Sequence, residues 1–145
     1  MAGHIWLRAA VLGAATGARS VTPIAALARS GHPGLPALAG PWARRLTTAA
    51  ALGELVTDKL PTTGSRLAPA AFGGRLALGA LAGYALARGH RAPVVVPVLA
   101  AVVAAAASSY AGAAWRAAGA RHGLAFPAAI AEDGAAVLLA DSAVR

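Results

Sequence analysis

The stretch PVVVPVLAAVVAAAASSYAGAA, residues 93–114, carries no charged side chain and is long enough to cross a lipid bilayer as a helix. At about 1.5 Å per residue, roughly 20 apolar residues span the hydrocarbon core of a membrane. The rest of the 145-residue sequence has the same character, since 58% of its residues are hydrophobic and only 12% are charged. A soluble domain usually has about 25% charged residues, so we expect much of this surface to face lipid.

Four further apolar segments flank this stretch, and together they predict an all-α, polytopic transmembrane bundle in a single domain, residues 1–145. We expect four or five membrane segments, some of them short or broken: 5–28, 46–60, 70–87, 93–114 and 126–144. The second segment has only about 15 residues, which is short for a full span and suits a tilted helix, a re-entrant helix or a half-helix buried in protein. The third contains Gly79-x-x-x-Gly83, a spacing that lets helix backbones approach closely.

Polar and helix-breaking residues interrupt the middle of segment 5–28. Gly17 weakens a helix, and Pro23 removes a backbone donor. We therefore predict a kink or break near Ser20 to Pro23. Pro61 is predicted to end segment 46–60 for the same reason.

All five acidic residues lie in segments 46–60 and 126–144, and none lies in a predicted loop. A charge in the middle of a membrane costs at least about 2.5–3.5 kcal/mol, so such groups persist when they are paired, hydrated or functional. Glu54 and Asp58 are four residues apart and share a helix face, where they repel each other unless a cation lies between them. We predict a polar site for an ion or solute near the bilayer midplane, formed by Arg19, Ser20, Thr22, Glu54, Asp58, Lys59, Arg66, Glu132 and Asp133.

The net charge of +8 is spread over arginines that stand singly or in pairs between apolar runs. This pattern is typical of charges that flank membrane segments, and it argues against nucleic acid as a partner. An alternating five-span topology places six of the 13 basic residues on each face and leaves Arg19 inside the membrane. Because the basic residues are equally divided, they predict no orientation of the protein in the membrane. The equal division fits an antiparallel homodimer, and it also fits a topology with one span fewer.

Two stretches suggest a weak internal repeat. AATGARSVTP at residues 14–23 and AAGARHGLAFP at residues 117–127 each contain Gly-Ala-Arg followed by a proline. An apolar run with an acidic residue follows each of them, as in small transporters built from repeats. In a sequence so rich in alanine and glycine, chance similarity explains the pattern comparably well.

Nothing in the sequence indicates catalysis, a cofactor or a metal site. Cysteine is absent, and the four histidines have no metal-ligand spacing. No glycine-rich phosphate loop and no nucleophile-elbow motif occurs. We therefore expect a protein that is not an enzyme.

Four stretches in this order resemble a family of small bacterial membrane proteins grouped as domain of unknown function 4126. They are GAATGARSVTP (13–23), ALGELVTDKLPTTGSR (51–66), GGR (73–75) and AIAEDGAAV (129–137). The resemblance covers most of the sequence and implies a polytopic protein of the bacterial inner membrane, but it supplies no substrate. It also implies importance for Arg19, Glu54, Asp58, Lys59, Arg66, Arg75, Glu132 and Asp133.

Three functional hypotheses remain open at this level. The leading one is a transporter or channel for an ion or small polar solute, working as an oligomer, with carboxylates that bind a cation or proton and Arg19 as their counter-ion. The second is a structural, assembly or lipid-binding membrane protein whose buried charges only hold the bundle together. The third is a soluble, alanine-rich helical protein.

Overall fold

The computed structural model describes residues 4–59, 65 and 67–145, and within these ranges the protein is helical and contains no strand. A 3₁₀ turn, Pro36–Leu38, precedes the third α-helix. The α-helices are α1 (Ile5–Ala18), α2 (Thr22–Arg29), α3 (Pro41–Thr57), α4 (Pro69–Gly89), α5 (Val95–Arg121) and α6 (Ala125–Val144).

The predicted break in segment 5–28 is confirmed. Residues 19–21 are not helical and separate α1 from α2. Pro23 lies in the first turn of α2, where its missing N–H costs nothing because those donors have no helical acceptor. Gly17 lies in the last turn of α1, one residue before that helix ends. Pro61 and Arg66 lie outside the described residues.

Helices α3 and α5 differ most from their predicted segments. Helix α3 begins at Pro41 instead of residue 46, because proline is well suited to the first turn of a helix. Helix α5 continues to Arg121 instead of ending at residue 114, because no proline intervenes before Gly123, which has a φ of 70°. The longer α5 brings Arg116 into a helix.

Helix α1 is the centre of the bundle and packs against α4, α5 and α6. The core is made largely of small side chains, including Ala9, Ala15 and Ala101, all fully buried. At Gly13 a Cβ atom would lie 2.7 Å from the Ala101 Cα atom, so α1 and α5 are in backbone contact. Alanine and glycine therefore build this core through close helix approach and not through large side chains.

The Gly79-x-x-x-Gly83 prediction is confirmed at the contact between α4 and α5. A Cβ at Gly83 would lie 2.7 Å from the Pro97 carbonyl oxygen, and one at Gly79 would lie 3.1 Å from the Ala105 Cβ. Both glycines are buried. Close approach of the two helices depends on the absence of these side chains.

Two of the described helices, α4 and α5, are long and apolar enough to cross a membrane. The prediction of four or five spans is not confirmed. The break at residues 19–21 divides the first segment into helices of 14 and 8 residues. Helix α6 has 20 residues but carries Glu132, Asp133 and Asp141, and α3 carries Arg44 and Arg45 near its start.

Candidate functional site: a buried ion-pair network

Arg19 lies in the break between α1 and α2, and its side chain is fully buried. Its Nη1 atom donates to Asp58 Oδ2 at 2.7 Å, and its Nη2 atom donates to Asp133 Oδ1. Asp58 caps the C-terminus of α3 and Asp133 belongs to α6. One arginine in a non-helical segment therefore links two elements that lie 39 and 114 residues further along the sequence.

Two more cations extend these contacts in both directions. Lys59 Nζ donates to Asp133 Oδ2 at 2.5 Å. Arg116 in α5 donates from Nη2 to Asp58 and from Nε to Glu132 Oε2, the latter at 2.7 Å. We call this alternating series of three cations and three carboxylates the ion-pair network: Lys59, Asp133, Arg19, Asp58, Arg116 and Glu132.

Glu54 has a different role from the carboxylates of the network. Its Oε1 accepts the Ser20 backbone N–H at 2.7 Å, and its Oε2 accepts the Val21 backbone N–H at 2.9 Å. These donors lie at the N-terminus of α2, where backbone N–H groups lack helical acceptors and the helix dipole favours negative charge. Glu54 therefore stabilises the helix break by capping α2 from the neighbouring helix.

The other side of the break is held by hydrogen bonds to the last turn of α1. Arg75 in α4 is 6% exposed, and its Nη1 donates to the Gly17 carbonyl oxygen. Ser109 in α5 is fully buried, and its hydroxyl donates to Ala105 O at 2.7 Å while lying 3.4 Å from the Gly17 oxygen. A cation at a helix C-terminus complements the helix dipole and satisfies a carbonyl without a helical donor.

Most of the predicted site residues meet in this region. Ser20 contributes its backbone N–H to the contact with Glu54, while Thr22 is buried and its hydroxyl has no hydrogen-bond partner in the described part of the chain. Asp141 lies elsewhere and pairs with Arg29 at 3.1 Å on the surface. The structure brings together Arg19, Ser20, Glu54, Asp58, Lys59, Glu132 and Asp133.

Sequence reasoning missed Arg116, which was assigned to a loop beyond segment 93–114. A signal was present, because α5 and α6 form a hairpin with its turn at residues 122–124. Positions 116 and 132 are each eight residues from Leu124, and residues equidistant from the turn of an antiparallel hairpin lie level with each other. A correct end for α5 would have placed Arg116 beside Glu132.

The two Gly-Ala-Arg stretches of the suggested repeat each lie at the end of a helix, but their arginines differ. Arg19 follows α1 and is fully buried in the ion-pair network. Arg121 ends α5 and is exposed. The two Gly-Ala-Arg stretches therefore do not form two copies of the ion-pair network.

A cavity of about 380 Å³ opens beside the ion-pair network, and we call it the polar cavity. Lys59 and Arg116 are each about a quarter exposed there, while Asp58 is 11% exposed. Its walls are formed by Asp58, Lys59, Arg116, Ala120, Ala125, Phe126 and Ala129. A separate, largely apolar groove of about 450 Å³ runs between α1, α5 and α6, with Glu132 as its acidic wall residue.

No protein-family model, curated protein or solved structure matches this sequence. The fold and the site define the class of protein directly: a small helical bundle with two apolar helices of membrane-spanning length and a buried, alternating ion-pair network. The resemblance to domain of unknown function 4126 stays a prediction.

A second polar cluster lies where α1 begins and α4 ends. Arg8 Nη1 lies 3.1 Å from His90 Nε2, and Arg8 Nε donates to Ala143 O at 2.9 Å. The ring of His32 lies 5.5 Å from that of His90, and its Nδ1 accepts the Gly34 N–H at 3.3 Å. The contact of His32 with Gly34 requires an unprotonated Nδ1, since a protonated ring nitrogen accepts no hydrogen bond.

We expect acid to destabilise the protein through His32. Burial lowers the pKa of His32 from its ordinary value of 6.5, and the neighbouring His90 and Arg8 lower it further. Because the folded-state pKa is the lower one, the unfolded state binds a proton first as the pH falls below 6.5. The stabilisation is complete above that pH and is lost as the pH falls towards the folded-state pKa.

The measurement is the thermal unfolding midpoint in detergent between about pH 8 and about pH 5. His32→Asn keeps an acceptor for the Gly34 N–H and should reduce the acid-dependent fall in the midpoint. His122→Asn, which removes an exposed histidine, should leave that fall unchanged. Equal pH dependence in the wild type and His32→Asn would contradict this prediction.

Proposed function

We propose that the chain is a small, non-enzymatic, multi-pass protein of the bacterial cytoplasmic membrane that transports or conducts an ion or small polar solute. The observation that carries the proposal is a largely buried ion-pair network, three members of which line an open polar cavity. The solute would enter at the cavity and exchange with members of the network. The bacterial inner membrane follows from the resemblance to domain of unknown function 4126.

Helices α4 and α5 support the membrane location. A soluble protein can also contain long apolar helices, but it buries most of their surface. In α5, only 22% of the most apolar 18-residue window is buried. Large apolar side chains point outward along its length, including Val96, Leu99 and Val103, each more than half exposed. Lipid is the environment in which such a surface is stable.

The composition of the network supports a role beyond holding the helices together. Desolvation of buried ion pairs offsets most of their attraction, so apolar residues of similar size often stabilise a core equally well. A bundle that already packs through alanine and glycine does not need a network with Arg19, Glu132 and Asp133 buried for its stability. Alternating pairs, by contrast, can exchange partners while a charged solute moves past them, because Asp58 and Asp133 each accept hydrogen bonds from two cations.

A structural or lipid-binding role is the second candidate, and one observation favours it. The carboxylates at Glu54, Asp58, Glu132 and Asp133 all accept hydrogen bonds from protein donors. A cation that bound there would have to displace an arginine, a lysine or a helix terminus. Under this hypothesis the network only joins α3, α5, α6 and the break at residues 19–21.

We also propose that the protein forms a homodimer, with parallel or antiparallel subunits. Helix α3 contacts α2 and the 3₁₀ turn, and only Ala51 on it is buried. Trp42, Leu46 and Val56 are each at least 65% exposed on this helix. A second copy would cover this surface and help to enclose a pathway that 145 residues line only in part.

Purified protein in liposomes should show flux of at least one of protons, alkali cations or small anions. Lys59→Gln removes the most exposed charge of the network. We expect it to lower that flux about ten-fold or more, because a hydrogen bond to a charged group contributes about 1.5–3 kcal/mol. Arg29→Gln, which breaks the exposed pair with Asp141, is the matched control and should retain wild-type flux.

Glu54→Gln tests whether Glu54 caps α2 without taking part in transport. It keeps one acceptor oxygen but removes the negative charge from the N-terminus of α2, so we expect a loss of stability with flux retained in the molecules that stay folded. If the wild-type protein resists extraction from membranes by carbonate but its liposomes show no flux of any of these ions, the transport proposal is rejected. Undiminished flux in Lys59→Gln would remove the polar cavity from the pathway.

A further inference from the structure

The polar cavity presents unused hydrogen-bond donors. Lys59 Nζ donates to Leu55 O at 2.9 Å and to Asp133, which leaves an ammonium hydrogen without an acceptor in the described residues. Arg116 uses Nε and Nη2 for Glu132 and Asp58, and its Nη1 hydrogens have no acceptor there either. Both side chains line the cavity and are partly exposed to it.

The charges of the cavity wall favour an anion over a cation. Among the described residues, Asp58 is the acidic residue that lines the cavity. Its carboxylate already accepts hydrogen bonds from Arg19 and Arg116. An incoming cation would compete with two guanidinium groups for one carboxylate. An incoming anion would find one ammonium and one guanidinium with donors available, the pair of groups that proteins use for carboxylate and phosphate.

The opposite wall is apolar and consists of three alanines and one phenylalanine. Phe126 is 66% exposed, and Ala120 and Ala125 are exposed as well. The volume of about 380 Å³ lies within the range of about 300–1,000 Å³ that is usual for small-molecule sites. The cavity thus combines cationic groups with a more extensive apolar surface.

We propose that the polar cavity binds a carboxylate or phosphate group carried by a ligand whose apolar part packs against Ala120, Ala125 and Phe126. This inference rests on the proposed function and names the solute class for the same site. Two sources supply that chemistry, the headgroup of an anionic lipid and a free small anion. In both cases Lys59 and Arg116 donate to the ligand oxygens while keeping their pairs with Asp133 and Glu132.

The test uses the full chain in nanodiscs of phosphatidylcholine, a neutral lipid. One arm titrates inorganic phosphate against chloride at equal ionic strength, and the other replaces part of the lipid with phosphatidic acid. The readouts are the thermal unfolding midpoint and the bound ligand in native mass spectra. Ala120→Trp fills the cavity without removing a charge, and Ala117→Trp adds the same side chain to an exposed position of α5 outside the cavity.

We expect at least one probe to stabilise the wild type, and we expect its apparent affinity to fall about ten-fold or more in Ala120→Trp but not in Ala117→Trp. Stabilisation by both probes identifies a free anion as sufficient, and stabilisation by phosphatidic acid alone identifies a lipid headgroup. Lys59→Gln should weaken binding and reduce its salt dependence. Absence of stabilisation by either probe, or equal affinity in Ala120→Trp and the wild type, would overturn the assignment.

These outcomes are separate from those of the flux experiment. Flux of protons or alkali cations that depends on Lys59, without binding of either anionic probe, would leave the transport proposal intact and reject the anion site. Anion binding at the cavity without flux of any ion would reject transport and retain the site in a lipid-binding or structural protein.

Discussion

Replacing Arg19 with methionine should destabilise the protein more than any other single change in the ion-pair network. The side chain is fully buried and donates to both Asp58 and Asp133. Methionine fills a similar volume but leaves two carboxylates in the interior with one cation fewer. Breaking a buried ion pair by removing one partner costs about 3–5 kcal/mol, a large part of the total stability of a small domain.

The measurement is the free energy of unfolding in detergent or, where the variant does not survive purification, the yield of monodisperse protein. Arg19→Lys keeps the charge but loses the fork of donors that joins two carboxylates, so it should fall between the wild type and Arg19→Met. Arg29→Met breaks the exposed pair with Asp141 and should cost no more than about 1 kcal/mol. A small effect of Arg19→Met would show that the network contributes little to folding.

A double substitution tests the reason for that loss. If the cost arises from uncompensated carboxylates, then adding Asp133→Asn to Arg19→Met should restore part of the stability, because one buried negative charge is removed. If the two losses simply add, the cost of Arg19→Met comes from packing around the break and not from charge.

Gly13→Ala should be the second severe change, although it adds only one methyl group. The new Cβ would lie within 2.7 Å of three Ala101 backbone atoms, and backbone atoms in α5 have no rotamer by which to move aside. Helix α1 would have to shift away from α5 at the centre of the bundle. Overpacking usually costs about 1–3 kcal/mol, and we expect the upper end of that range here.

Gly53→Ala is the matched control, since Gly53 lies within α3 and a Cβ there would meet nothing within 4 Å. Alanine is better than glycine in a helix, so this variant should be stabilised by about 0.5–1 kcal/mol. Thermal unfolding of both variants beside the wild type gives the comparison. Similar midpoints for Gly13→Ala and Gly53→Ala would argue against direct backbone contact between α1 and α5.

Local chemistry was enough to predict the helical elements and the break. Runs of alanine with few β-branched or polar residues favour helices, and proline at position 23 allows a helix to begin but not to continue through it. The acidic residues were identified as a set because carboxylates inside apolar segments are costly wherever the segment lies. Each of these conclusions depends on residues near one another in the sequence.

The partners of those residues could not be predicted in the same way. Glu54 was paired with a cation or ligand in the sequence-based hypothesis, but it accepts two backbone N–H groups at the start of α2. Arg116 entered the network only because α5 continues two turns beyond its predicted end and folds back on α6. The types of the side chains do not predict either contact, since a carboxylate can pair with any arginine or helix N-terminus that the fold brings near it.

The sequence by itself therefore determined an alanine-rich helical protein with its first apolar segment broken near Pro23 and with carboxylates held inside apolar segments. Only the tertiary structure decided which cation meets which carboxylate, that Glu54 caps a helix, and that a polar cavity opens beside Lys59 and Arg116. The physical reason is the difference in sequence separation between the interacting residues. Helix formation depends on neighbours a few residues away, whereas Arg19 and Asp133 meet across 114 residues, and their pairing depends on how the small side chains allow the helices to pack.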